Sequence, residues 1–144
     1  MKNYMQSAND YYRHFIQPRD FIEFQSGFFL SEGIFRISGE TQCNWLLQII
    51  CFQQKESGAQ LVEFWKLKRI EGLDYLLQCK DSSGSILFEK TFISPDFSFD
   101  EITIWKVGTY LILPGEYNEF VKLIRNEAKS FTSNILDDHK IELN

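Results

Sequence analysis

The chain has 144 residues, with 15 Lys and Arg against 20 Asp and Glu, a net charge of -5 and a pI near 5.0. Apolar residues at 44% and charged residues at 24% are the balance of one ordinary folded domain, not of a disordered tail. The excess of acid argues against direct nucleic-acid binding through covered phosphates, and no run approaches the roughly 18 apolar residues of a membrane span. The segment Met1–Gln6 also lacks the apolar stretch of a secretory signal, so a cytoplasmic protein is expected, with no membrane association.

The 14 Phe, 6 Tyr and 3 Trp are enough rings to build a core without disulfides or metal, since each hides about 150–250 Å². Cys43, Cys51 and Cys79 are odd in number and form no CxxC pair, which points to inert packed thiols. No metal site and no cofactor are expected.

In chain order, Tyr4 to Ile16 has near-helical apolar spacing and is predicted to form a short amphipathic helix ended by Pro18. Phe21 to Ser38 reads as strand or turn, with Gly27 and Gly33 punctuating a Phe28-Phe29-Leu30 cluster. The apolar run Trp45–Phe52, with its flanks, predicts a buried helix from Thr41 to Lys55.

Strand spacing follows in Leu61–Ile70, Leu73–Cys79 and Ile86–Phe92, joined by Glu71-Gly72 and by the hairpin turn Asp81-Ser82-Ser83-Gly84. Ile102–Val107 and Thr109–Leu113 are two more, hinged at Gly108. Tyr117, Phe120, Val121, Ile124, Ala128 and Phe131 then mark one face of a final helix. The expected fold is an α+β domain over residues 1–131, an antiparallel meander of about five strands with helices on one face, followed by a polar C-terminal tail, 132–144.

Several spaced motifs carry a resemblance. Tyr12-Arg13-His14, Ser31-Glu32-Gly33, Trp45-Leu46-Leu47, Phe64-Trp65-Lys66-Leu67, Asp81 with Gly84, Asp100-Glu101-Ile102-Thr103 and Leu113-Pro114-Gly115-Glu116-Tyr117 occur in that order. Together, over roughly residues 11 to 117, the chain resembles a small uncharacterised bacterial family, a domain of unknown function also found on phages and plasmids. The resemblance implies a small stand-alone protein and supplies no activity and no functional residues. The chain departs from the family at Ile37-Ser38-Gly39, where relatives carry a small or acidic residue within a helix, and at Lys106-Val107-Gly108, often Thr-Asp-Gly.

Two surfaces stand out as candidate sites. Tyr12, Arg13, His14 and Glu32, with Asp20 nearby in sequence, could line a small-ligand or enzymatic pocket; capping or packing is the plainer role for His14, because no nucleophile motif accompanies it. His139 lies in the polar tail. Lys66, Lys68 and Arg69 around Trp65 read better as a solvated strand edge than as a nucleic-acid surface.

Between Pro95 and Glu119, Asp96, Asp100, Glu101, Glu116 and Glu119 face Lys106 alone, and Phe97 and Phe99 alternate with the acids. Asp96, Phe97, Phe99, Asp100 and Glu101 form a candidate partner-binding surface for a basic protein, the alternative being that the two rings cover a sheet edge. The favoured function is a non-enzymatic protein-binding module or inhibitor of mobile-element origin, of anti-defence type. A ligand or enzymatic pocket and a homodimeric structural protein are the alternatives.

Overall fold

The computed structural model describes residues 5–25, 27–53, 61–94 and 96–127. The tail 132–144, with His139, and the end of the last predicted helix at Phe131 lie outside these residues.

The fold is α+β, and the hairpin region sits where alternation and turn chemistry place it. Strands β4 (Val62–Glu71), β5 (Asp74–Lys80) and β6 (Ile86–Ile93) pair antiparallel in sequence order. Asp81 builds the second turn: its Oδ1 accepts from the backbone N–H groups of Ser83 (3.0 Å) and Ser85 (2.9 Å) and from Ser83 Oγ (2.7 Å). Those bonds hold the Asp81 carboxyl below the ordinary carboxylate range, the Ser83 hydroxyl contributing most. Gly84, at φ 89°, supplies the left-handed residue that the turn requires.

The order then departs from a meander. Strand β7 (Phe99–Val107) does not continue beside β6 but pairs antiparallel with the far edge of β4, from Val62 opposite Val107 to Lys68 opposite Glu101. The link 94–98 therefore passes the ends of β5 and β4. Strand spacings of about 4.8 Å make that crossing about 15 Å, within reach of five extended residues.

Side-chain hydrogen bonds hold the crossing. Tyr75 Oη donates to the carbonyls of Phe97 (3.2 Å) and Phe99 (2.8 Å), and Arg69 Nε donates to Asp100 Oδ1 (2.9 Å). The Arg69 guanidinium also lies over the Tyr75 ring at 4.8 Å and bonds the Gly72 carbonyl.

Among the described residues, three more strands enlarge the predicted five to eight. The sheet order is β2 (Phe21–Phe24), β3 (Phe28–Ser31), β8 (Tyr110–Ile112), β7, β4, β5, β6. A short β1 (Met5–Ser7) runs parallel to the start of β7, beside the edge that β8 takes further along; β3 and β8 are also parallel.

Two predicted helices change, and one helix was not predicted. The segment Tyr4–Ile16 is not one helix but β1 and a single-turn α1 (Ala8–Tyr11). The reason is visible at Asn9, whose side-chain amide bonds Thr103 N (2.7 Å) and Thr103 O (2.8 Å), prolonging the pairing with β7 where the backbone has already coiled.

The stretch ending at Ser38, read as strand or turn, contains α2 (Glu32–Thr41), capped by Ser31 Oγ accepting from Ile34 N (3.2 Å). Gln42 at φ 55° ends α2, so the next helix, α3 (Asn44–Phe52), starts later than Thr41. The final helix, α4, occupies 117–127 of the described residues.

The helices do not share one face. Trp65, Leu67, Tyr75, Leu77, Cys79, Ile102, Ile104 and Leu111 point to one side of the sheet and form the core with α2 and α3. Trp45 of α3 meets Phe92 of β6 there, with ring centroids 5.4 Å apart. Helix α4 packs on the opposite face, Tyr117 against Trp105 (5.2 Å) and Phe120 against Tyr110 (5.3 Å) and Phe21 (5.8 Å). Cys43, Cys51 and Cys79 are all buried thiols, and burial pushes the Cys43 thiol up.

Candidate functional site

Two motifs far apart in sequence meet at the start of α2. Glu116 is buried, and its Oε1 accepts from Ser31 Oγ at 2.6 Å and from Leu113 N at 2.8 Å. The Gly33 backbone N–H also bonds the carboxylate. Ser31 thus donates to Glu116 while capping α2, and the helix N-terminus favours a carboxylate there.

Gly33 is required by space: a Cβ would stand 2.7 Å from Leu113 Cδ1, 3.0 Å from Phe15 Cβ and 3.3 Å from Glu116 Oε2. Burial raises the Glu116 carboxyl above its ordinary value of 4.5, against the lowering effect of these hydrogen bonds. The cluster locks the 3₁₀ turn Pro114–Glu116 to β3 and α2.

The four residues of the predicted pocket go separate ways. Tyr12 is buried, and its hydroxyl donates to Glu40 Oε1 at 2.7 Å; burial first, then Glu40, pushes the phenol upward. Arg13 and His14 are exposed, His14 lying against the Phe15 ring at 4.4 Å. Glu32 Oε1 accepts from the Asp20 N–H at 3.3 Å.

The acidic-aromatic segment is drawn into the crossing. Phe97 and Phe99 are buried, at 3% and 4% exposure, and pack on each other, on Tyr75 and on Tyr11 and Tyr12. Asp96 is exposed, Asp100 is paired with Arg69, and Glu101 lies 3.6 Å from Lys66. Among the predicted basic group, Lys66 and Lys68 are exposed while Trp65 faces the core, and β4 is an interior strand, not an edge.

Sequence reasoning missed a buried polar cluster as well. Glu63 and Lys106 are cross-strand partners, 3.9 Å apart; Trp65 Nε1 donates to Glu63 Oε1 at 3.0 Å, and the Lys106 ammonium lies over the Phe28 ring at 5.5 Å. The period-2 pattern placed Glu63 on the same face as Trp65, which was the available signal.

An open groove of about 330 Å³ lies between β2 and α2. Ile22, Phe24 and Leu30 line it from the sheet, and Phe35, Arg36 and Glu40 from the helix. Phe35 is 52% exposed, and Arg36 and Glu40 form an ion pair at 3.7 Å. Gly39 also lines the groove, and a Cβ there would meet nothing within 4 Å.

Strand β2 is the end of the sheet among the described residues. The Phe29 N–H donates to Thr109 O at 2.9 Å, so the polar backbone of Phe29 faces β8 and that of Phe28 and Leu30 faces β2. Ile22, opposite Leu30, and Phe24, opposite Phe28, spend their backbone groups on β3. By alternation, the backbone N–H and C=O groups of Phe21 and Glu23 point outward from the sheet. The side chains alternate too: Ile22 and Phe24 lean toward α2, and Glu23 toward the other face.

Among the described residues, no group of three or more His, Cys, Asp or Glu is placed to hold a metal ion, and no helix is long and apolar enough to cross a membrane. A protein-family model matches residues 6–117; its description is a family of unknown function, DUF6876. No curated protein and no solved structure matches the chain.

Proposed function

The chain belongs to this family of unknown function, and we propose that it is a non-catalytic protein-binding module whose docking surface is the groove between β2 and α2. The observation that carries this reading is the combination of an apolar floor, Phe24 and Leu30, an exposed wall residue, Phe35, and the bare backbone of Gly39 along one open concavity. An aromatic anchor beside an open, partly apolar groove is the arrangement that protein and peptide partners exploit. A module of this size suits an inhibitor or accessory factor that acts by occupying a surface of a host protein, including one carried on a mobile element.

Gly39→Trp tests the surface. Gly39 lines the groove and a Cβ there meets nothing within 4 Å, so the substitution adds bulk at the groove wall, and replacing a helical glycine does not weaken α2. Peptides selected from a displayed random library on the wild-type protein are expected to bind Gly39→Trp at least about tenfold more weakly, with its melting temperature maintained. Equal binding to both proteins would place the interaction elsewhere and overturn the assignment.

A further inference from the structure

Resting on that reading of the groove, we propose the form and chemistry of its occupant: an extended segment of a partner protein that adds to β2 as a further strand and carries an apolar-basic-apolar triplet. Strand addition follows from the edge. Phe21 and Glu23 direct their backbone donors and acceptors away from β3, and an incoming strand satisfies them as β3 satisfies those of Ile22 and Phe24.

The triplet follows from the pleat. The residue paired with Glu23 projects on the same face as the Glu23 carboxylate, where a Lys or Arg makes a favourable cross-strand pair. Its two neighbours project to the other face, onto Ile22, Phe24 and Phe35 of the groove. Glu23 is itself exposed and stands on the outermost strand, so its carboxylate is open to such a cation.

A second copy of this chain is a poorer occupant. Antiparallel self-pairing centred on Glu23 would set two carboxylates directly opposite each other, a destabilising pair. The opposite end of the sheet, β6, carries exposed Glu89 and Lys90 in mid-strand, the kind of charge that discourages strand addition.

The test is selection of displayed random dodecapeptides on the wild-type protein, followed by affinity measurement of the enriched peptides on three variants. The expected consensus is an alternating apolar-basic-apolar run. Glu23→Pro, which removes an N–H that no strand of the sheet uses, is expected to weaken binding at least about tenfold. Glu23→Arg is expected to exchange the preference from a basic to an acidic central residue, a change that a purely structural role of Glu23 would not produce. Binding that survives Glu23→Pro but is lost in Gly39→Trp overturns strand addition and leaves the groove reading intact. Binding that survives Gly39→Trp overturns the groove reading itself, and a consensus with helical i, i+4 spacing or without a basic residue overturns the proposed occupant.

Discussion

Glu116 offers the sharpest test of how the fold is locked. Glu116→Ala strands the Ser31 Oγ–H and Leu113 N–H, which approach the carboxylate at 2.6 and 2.8 Å inside the core, and takes the acceptor from the Gly33 N–H as well. A buried donor left without a partner costs about 1–3 kcal/mol, so Ser31 and Leu113 alone set an expected loss of about 2–6 kcal/mol, a large share of the roughly 5–15 kcal/mol that holds a domain of this kind together.

Glu116→Gln keeps an acceptor for Ser31 and Leu113 but sets an amide N–H₂ against the Gly33 N–H, for an expected loss of about 1–2 kcal/mol. The two forms also differ in pH dependence. Because burial raises the Glu116 carboxyl in the folded protein, its protonation favours the folded state: that contribution is fully present below the ordinary value of 4.5 and is lost as pH rises through the higher folded-state value. Glutamine has no such dependence. Urea denaturation of wild type, Glu116→Ala and Glu116→Gln across an acidic-to-neutral pH series reads both effects. The stability gap between wild type and Glu116→Gln is expected to be widest at the acidic end and to narrow toward neutrality. A loss below about 1 kcal/mol for Glu116→Ala, or a gap that widens with rising pH, would refute the reasoning.

Other substitutions probe the remaining elements. Gly39→Ala fills open space on a helix and is expected to raise stability by about 0.5–1 kcal/mol, read as a higher denaturation midpoint. Lys106→Met takes the ammonium from beside buried Glu63 and is expected to cost about 3 kcal/mol, with Glu63→Gln in the same chain recovering much of it in a double-mutant cycle. Tyr12→Phe removes the bond to Glu40 for about 1 kcal/mol and, in an ultraviolet difference titration, abolishes a phenol step lying above the ordinary tyrosine range.

What the sequence made legible depended on whether the decisive contact was local. The hairpins β4–β5–β6 are announced by period-2 alternation and by turns whose chemistry is complete within five residues, as at Asp81–Ser85. The first turns of α4 are likewise written in the spacing of Tyr117, Phe120 and Ile124.

Helix α2 was hidden because its buried face is small and partly polar, Gly33, Ile34, Ile37, Ser38 and Thr41, and because its anchor, Glu116, lies 85 positions beyond the capping Ser31. The crossing from β6 to β7 was hidden for the same reason. Ser94–Ser98 is short enough for a hairpin link, and only the partners Arg69 and Tyr75 reveal that it spans two strand ends. Those partners explain why Phe97 and Phe99, which in sequence resemble exposed anchors among acids, face inward. The groove between β2 and α2 had no sequence signature, since it required knowing that 32–41 is a helix and that β2 ends the sheet.

The most direct test of the binding account is amide hydrogen exchange, resolved by residue, on the protein alone and with a saturating peptide selected on its groove. The account predicts new protection at the outward-facing amides of Phe21 and Glu23, with the Ile22 and Phe24 amides, already committed to β3, little changed. Unaltered exchange at Glu23 in the saturated complex would contradict it.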